Sequence, residues 1–324
     1  MGAVEMERRN ESGAGGAARP VHEPVLADEV VRFLGGERPA ELEGWIVDGT
    51  LGAGGHSSRL LAALPRIQLL GLDQDPEILA HARTNLAPFG RRVHVRRARI
   101  SQLQSALDAV GATRVVGVLM DIGASSLQLD SAARGFSFTA DGPLDMRMDP
   151  ERERTAADIV NGWDESDLAD LFFYEGGETR SRKIARAIVD SRRRAPFQRT
   201  LALADVIERA VGGGGKTHPA TRVFQALRRA VNEEGDELLA GLAAAEEWLV
   251  DGGRLAVISF HSGEDAEVKR FFAQGAQEGR WDVLTRKPVT ASREELLRNR
   301  RSRSALLRVG ARVRRVGAGK GGGA

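Results

Sequence analysis

The sequence predicts a doubly wound parallel α/β sheet with a helical domain inserted into it. Three observations predict this. Apolar strand-like runs alternate with helical patterns from Trp45 to Met120. A glycine-dense turn, Asp48-Gly49-Thr50-Leu51-Gly52-Ala53-Gly54-Gly55-His56, follows the first of those runs directly. The alternation then stops at Asp121, and only helical patterns appear until about residue 220.

Residues 1–20 are rich in Gly, Ala, Glu and Arg, contain no apolar stretch, and read as a disordered tail rather than a signal peptide. Val25, Leu26, Val30, Val31 and Leu34 predict a short amphipathic helix ending at Gly35-Gly36. Trp45 to Val47 ends a first strand, and Ser57 to Leu64 is a helix beyond the glycine turn. Ile67 to Leu72 is the second strand, closed by Asp73. Asp75-Pro76 is a helix start, with Asp75 as cap and Pro76 in the first turn. Arg92 to Arg97 is a third strand, and a helix over Ser101 to Val110 leads to the continuous apolar run Val115 to Met120. Such a run suits a strand buried on both faces. Asp121 ends it.

Asp121 to Met148 is a long irregular segment at a strand's carboxyl end, a place where function concentrates. Helices are predicted over 155–161, 166–174, 179–192 and 200–211, with Thr155 and Asp158 forming a capping box. Gly212 to Thr217 resembles part of a phosphate loop, but Ala210 occupies the required first glycine and a helix precedes it. It reads as a linker. Arg222 to Leu249 has the periodicity of one long amphipathic helix, with Gly235 inside it and Gly252-Gly253 ending it. A strand over Arg254 to Phe260 presents His261 at its end. A helix to Phe272 follows, and strands near 281–286 and 305–313 complete the sheet as an antiparallel pair. The expected organisation is a discontinuous sheet domain over 21–130 and 221–316, an inserted helical domain over 131–220, and tails over 1–20 and 317–324.

Composition narrows the function classes. With 42% hydrophobic residues in 324, a sizeable core is available. The chain has no cysteine, which excludes disulfides, thiolate metal sites and cysteine nucleophiles, and suits a reducing, cytoplasmic setting. No run is long and apolar enough for a transmembrane helix, so no membrane partner is expected. No His, Asp and Glu spacing resembles a metal site. Net charge is only +2, yet Arg280 to Arg315 holds twelve basic residues against three acidic ones. Arginine clustered in this way suits phosphate recognition in a nucleic acid.

In a doubly wound sheet the carboxyl ends of the strands converge. They carry Asp48 and its glycine turn, Asp73, Asp121 and His261. Glycines with a helix start beyond them offer free N–H groups to a ligand. Asp73 suits a ribose with two free hydroxyls. Asp48, lying before the glycines, would repel a pyrophosphate but tolerates a zwitterionic methionine moiety. Asp121 and Gln128 are candidates to accept from an amine. His261 reads either as a general base or as a hydrogen-bonded helix entry. Ser126 has no base beside it in sequence, so no serine hydrolase is indicated.

These stretches together resemble the bacterial 16S ribosomal RNA cytosine-N4 methyltransferases, the MraW or small-subunit methyltransferase H family. The resemblance runs from His22 to Val309. It rests on His22-Glu23-Pro24-Val25-Leu26, the Asp48–His56 turn, Asp73-Gln74-Asp75-Pro76, and Ser125-Ser126 with Gln128-Leu129-Asp130. It continues through Arg134 to Phe138, Gly142 to Met148, His218 to Arg222, Phe224 to Arg228, Ile258 to Ser262 and Arg301 to Ala305. It implies a class I (Rossmann-like) methyltransferase sheet, with the insertion as substrate-recognition domain. It implies S-adenosyl-L-methionine as donor, contacted by Gly54, Gly55, His56, Asp73, Ile100, Asp121 and Gln128, with Asp48 behind the turn. The family commonly has Phe where this chain has Ile100. The implied target is a cytosine N4 in the decoding centre of the small ribosomal subunit, cytosine 1402 of the 16S RNA, and a homodimer is compatible with it.

On this reading Asp121, Ser125, Ser126 and His261 are the catalytic candidates. Arg134, Arg147, Arg298, Arg300, Arg301 and Arg303 are the candidates to hold RNA phosphates. The chain departs from the family at Leu127, Gly177, Gly235 and Gly263, each of which replaces another residue. Those departures motivate the rival expectation of an RNA-binding assembly factor with a vestigial donor site. A DNA amino-methyltransferase is disfavoured, because Asp121-Ile122-Gly123-Ala124 lacks the Pro-Pro-aromatic motif usual there.

Overall fold

The computed structural model describes residues 23–213 and 218–313. His22, the tails expected over 1–20 and 317–324, and most of the expected glycine linker lie outside the described residues. Seven strands are present among them: β1 (Gly44–Asp48), β2 (Ile67–Asp73), β3 (Val93–Arg97), β4 (Val115–Asp121), β5 (Leu249–Ser259), β6 (Trp281–Val283) and β7 (Leu306–Arg312). They form one sheet in the order β3-β2-β1-β4-β5-β7-β6. The first five strands are parallel, and β7 runs antiparallel between β5 and β6. The strand order reverses between β1 and β4, where a doubly wound sheet opens its binding crevice.

Helices α1 (Ala27–Gly35), α2 (Gly55–Ala63) and α3 (Pro76–Leu86) cover one face of the sheet. Helix α4 (Leu103–Asp108) lies on the other. Side chains alternate between these faces along each strand: Ile46, Leu69 and Leu119 join the first core, and Val47, Leu70 and Met120 the second. The insertion begins with a five-residue helix, α5 (Ser126–Asp130). It then builds α6 (Ala156–Gly162), α7 (Glu165–Tyr174), α8 (Ser181–Arg192) and α9 (Thr200–Val211). Thr155 and Asp158 form the expected capping box of α6. A third core, including Phe136, Met146, Ile159, Phe172, Ile188 and Ile207, holds these helices together.

The structure corrects the single helix expected over 222–249. It is two helices, α10 (Ala220–Asn232) and α11 (Glu234–Trp248), parted at Glu233 with φ 54°. Gly235 lies inside α11 and is not the break. A left-handed non-glycine residue is costly, and ion pairs hold this one. Glu233 meets Arg99 at 3.0 Å and Arg152 at 2.6 Å. Asn232, fully buried, accepts from Met148 N at 2.8 Å and donates to Met146 O at 2.8 Å. The partners come from distant segments, so periodicity does not reveal them. Gly252-Gly253 falls within β5, after α11 has ended at Trp248. The expected return to the sheet domain at 221 also moves. Val223, Phe224, Leu227 and Val231 of α10 pack in the helical core, so the chain rejoins the sheet at the Glu233 break. Helices α11 and α12 (Ser262–Gln277) cover the second sheet face, and α13 (Arg293–Arg298) precedes β7.

Gly135 has φ 73°, and a Cβ added there would lie 2.1 Å from Pro143 O. Gly135→Ala is therefore expected to lower stability by about 2–4 kcal/mol. A lower urea midpoint at unchanged slope is the measurement that checks it.

Candidate functional site

The carboxyl ends of β1, β2 and β4 open into a cavity of about 1430 Å³. Backbone and side-chain bonds between those ends shape it. Gly52 N donates to Asp73 Oδ2 at 2.9 Å, which pulls the glycine turn over the end of β2. Thr50 Oγ1 accepts from Asp121 N at 2.6 Å, tying the same turn to β4. Asn85 Nδ2 of α3 donates to Ala53 O at 2.9 Å. Gly52 and Gly54 take the positive φ values that this path requires, 53° and 84°.

Asp48 is buried behind the turn, bonded to Ser57 Oγ at 2.6 Å and Thr50 N at 3.3 Å. It does not line the cavity. Burial pushes its carboxyl above the usual range. Asp73 lines the cavity and is raised to about 6, chiefly by burial and against the bonds from Asp75 N and Gly52 N. Asp121 also lines it and is also raised to about 6, by burial first and by the charges of Asp48 and Glu264, while His56 opposes the shift. Asp121 Oδ1 is buried without a hydrogen-bond partner among the described residues. Gly55, His56, Ile100, Ser125 and Ser126 line the same space, whereas Gly54 faces Leu86 behind it. Ile100 packs close over Gly49 and Gly241, where an added Cβ would be 2.5 and 2.9 Å from its atoms.

Four of the expected site residues are engaged within the fold. Gln128 is buried outside the cavity wall; its Oε1 accepts from Ser125 N at 2.9 Å and its Nε2 donates to Asp75 Oδ2 at 2.8 Å. Its amide is engaged at both ends. His261 is the helix-entry residue of the alternative reading. Glu264 N donates to its Nδ1 at 3.4 Å, and its Nε2 lies 2.6 Å from Glu264 Oε1 and 2.7 Å from Arg229 Nη1. Arg229 Nη1 donates to the same oxygen at 2.6 Å. Burial acts to raise Glu264, but its bond with His261 and the charges of His261, Arg229 and Arg228 hold it below the usual glutamate range. Arg134 and Arg147 bind the fold rather than facing phosphates. Arg134 reaches Asp75 at 2.7 Å, Arg147 O at 2.9 Å and Met148 O at 3.0 Å. Arg147 forks onto Asp145 at 2.8 and 2.7 Å and onto Pro150 O and Arg152 O.

The C-terminal arginines do reach the cavity mouth. Arg300 and Arg301 line it. Arg301 forks onto Asp130, at 2.9 and 3.1 Å, and Arg298 pairs with Glu23 at 3.5 Å. Arg300 and Arg303 are exposed and make no ion pair among the described residues. Among the lining residues that sequence reasoning missed are Arg99, Arg228 and Asn232. Their signal was the Glu233 break, which periodicity conceals. A second cavity of about 690 Å³ adjoins the first and shares Arg228, Phe260 and Ser304 with it. Phe136, Phe138, Phe224 and His261 also line it.

The sheet order, the glycine turn and the acidic strand ends define a class I S-adenosyl-L-methionine-dependent methyltransferase. The residues present fit that donor: the glycine turn and Asp73 stand together at one end, and Asp121 lines the same space. The chain belongs to the MraW methylase family, whose model matches residues 19–313. It is 48% identical over 295 residues to ribosomal RNA small subunit methyltransferase H of Synechococcus elongatus, covering 90% of this chain and 95% of that one. It is 46% identical over 313 residues to the protein of that name from a Methylobacterium species, covering 90% and 91%. Among solved structures it is similar to an rRNA methylase from Streptococcus thermophilus, with TM-score 0.42 and 10% identity over 87% of this chain and 93% of that one. It is likewise similar to a putative methyltransferase from Streptococcus mutans in complex with SAH, with TM-score 0.40 and 11% identity over 89% and 95%.

The raised carboxyl of Asp121 has a consequence for stability. An acid whose folded pKa lies above its unfolded value costs stability once it ionises. That cost is absent below 3.8 and complete above about 6. Asp121→Asn is therefore expected to stabilise the ligand-free protein at alkaline pH by on the order of 2 kcal/mol. The gain should shrink as pH falls toward 3.8. Urea unfolding of both proteins at several pH values reads it.

Proposed function

We propose that the chain transfers a methyl group from S-adenosyl-L-methionine to the N4 amine of a cytosine in 16S ribosomal RNA of the small subunit, cytosine 1402 by family resemblance. The observation that carries this reading is the Asp121 carboxylate, which lines the donor cavity and makes no side-chain hydrogen bond among the described residues. An amine with N–H groups to donate is a partner that such a carboxylate can accept from. The relatives' names supply the RNA.

When bound, the donor supplies an electrophilic methyl on a sulfonium. Cytosine N4 is a poor nucleophile because its lone pair is delocalised into the ring. The protein's task is to orient that amine and to accept its proton as charge develops. The Asp121 carboxylate would take the N4 proton as the N4–C bond forms at the expense of the methyl–sulfur bond, whose electrons would stay on sulfur. Ser125 and Ser126 line the wall beside it and are the further candidates to orient the amine. The adjoining aromatic cavity offers Phe136, Phe138, Phe224 and Phe260 to a base taken out of its stack. Arg300 and Arg303, exposed near the mouth, supply phosphate contacts. The reading carries with it a cytoplasmic, ribosome-facing role.

Purified protein, labelled donor and unmethylated small subunits are expected to yield N4-methylcytidine at one position, read by nucleoside mass spectrometry. Donor binding without label transfer would favour the assembly factor instead. Asp121→Ala should lose transfer far more than donor affinity. A double Arg300→Glu, Arg303→Glu variant should weaken subunit binding at unchanged donor affinity. Its log affinity should also depend less steeply on log salt, by about 0.7 for each phosphate that is no longer neutralised.

A further inference from the structure

We propose that Glu295 and Asn299 are positioning residues for the donor: they clamp residues 23–26 against the glycine turn, so that this segment forms one wall of the donor site. This rests on the donor reading of the cavity given above.

Residues 23–26 have no regular structure and lead into α1. Glu23, Pro24 and Val25 line the donor cavity. Pro24 lies against the turn itself, since a Cβ added at Gly55 would be 3.3 Å from its ring. Val25 and Leu26 belong to the first core, and Leu26 is fully buried. Leu26 has φ 54°. A left-handed leucine is costly, and such a residue persists only where its surroundings over-determine it. Apolar packing fixes the side chains of this segment, but its backbone groups need polar partners. Three side chains from elsewhere supply them. His56 Nε2 of the turn lies 2.7 Å from Val25 O. Glu295 Oε1 accepts from Leu26 N at 2.8 Å, and Asn299 Nδ2 donates to Glu23 O at 2.9 Å.

The last two partners come from 269 and 276 residues away. Neither bond is needed to build the element that carries it. Ser292 Oγ caps α13 by accepting from Glu295 N at 3.1 Å, which leaves the Glu295 side chain free to turn to Leu26. That carboxylate is buried and meets only this one N–H among the described residues. Asn299 uses its amide in both directions. Its Oδ1 accepts from Arg301 N at 3.2 Å to start the short turn Arg300–Ser304, and its Nδ2 reaches across to Glu23. The exposed pair of Arg298 with Glu23 adds little to this. Arg300, Arg301 and Ser304, just beyond Asn299, line the same cavity. The clamp thus joins the wall over the glycine turn to the C-terminal arginines, and loosening it opens the donor site to water on that side.

Asn299→Asp keeps an oxygen for Arg301 N and loses the N–H given to Glu23 O. Glu295→Ala loses the acceptor for Leu26 N, and Glu295→Gln restores one. Ser302→Ala is the control: it loses the 2.7 Å bond to Asn299 O within the same turn and no bond to residues 23–26. Calorimetry and stopped-flow release of S-adenosyl-L-methionine are measured for each. Asn299→Asp and Glu295→Ala are expected to bind the donor about tenfold more weakly, through faster release. Glu295→Gln and Ser302→Ala should stay within about twofold of wild type. Equal affinity throughout overturns the proposal. So does a loss in Ser302→Ala as large as in Asn299→Asp, which would make general order of the turn responsible. Wild-type protein that binds no donor overturns the donor reading, and the proposal with it. If the variants do not fold, hydrogen exchange of the Leu26 N–H in wild type decides the matter. Slowing on donor addition beyond that of the β7 amides supports the clamp, and unchanged exchange overturns it.

Discussion

Three carboxylates at the ends of adjacent parallel strands are the constraint around which this protein is built. Asp48, Asp73 and Asp121 close β1, β2 and β4, and burial raises each of them. Like charges this close to one another are unfavourable in a low-dielectric wall. The fold gives each a different setting: Ser57 donates to Asp48, backbone N–H groups donate to Asp73, and the His56 ring lies 3.6 Å from Asp121. The result is a cavity poised for positive charge, which is what a sulfonium and a developing ammonium bring. Part of what these acids cost the empty protein is returned when ligands arrive.

The insertion is locked to this sheet by arginines. Arg134 reaches back to Asp75, the cap of α3, while Gln128 shares the same carboxylate. Arg229 joins α10 to Glu264 of α12 and, at 2.7 Å, to Glu175 beyond α7. Arg99 and Arg152 meet on Glu233 from the two sides of the junction. Removing one partner from such a buried pair leaves an uncompensated charge, so each pin resists single loss. The pins fix how the helical layer overhangs the donor cavity, and Arg228 and Asn232 become part of its wall by the same geometry.

The sheet was legible because strand signals are local. An apolar run of six, a glycine turn and an acid at the strand end are all contained within a few residues, and β1 to β4 follow them closely. The glycine turn, Asp73 and Asp121 were legible for the same reason. The internal partners of Gln128, Arg134 and His261 were not legible, because they come from distant segments. Asp75 lies 53 residues from Gln128 and takes its amide. Arg229 lies 32 residues from His261 and converges with it on Glu264. The Glu233 break was hidden too, since hydrophobic periodicity continues through it on both sides while the force that bends it comes from Arg99 and Arg152. Local pattern reports on local energy, and this junction is stabilised at long range.

The departures from the family pattern fall mostly away from the chemistry. Gly177 has φ 63°, a conformation in which glycine is relaxed and a side chain strained, and nothing lies within 4 Å of an added Cβ. An added Cβ at Gly235 would meet only Arg229, at 3.9 Å. One at Gly263 would touch the His261 ring at 3.2 Å, so glycine there leaves free a ring already held by Glu264. None of the three faces the donor cavity. Leu127 does line it, and nothing in the structure explains its substitution. A decaying donor site would lose Asp121, whose raised carboxyl costs the fold stability and which makes no side-chain hydrogen bond among the described residues. Here the acids remain, and the glycines fall where a side chain is dispensable. That distribution is what selection for catalysis leaves behind, and it weighs against a vestigial site.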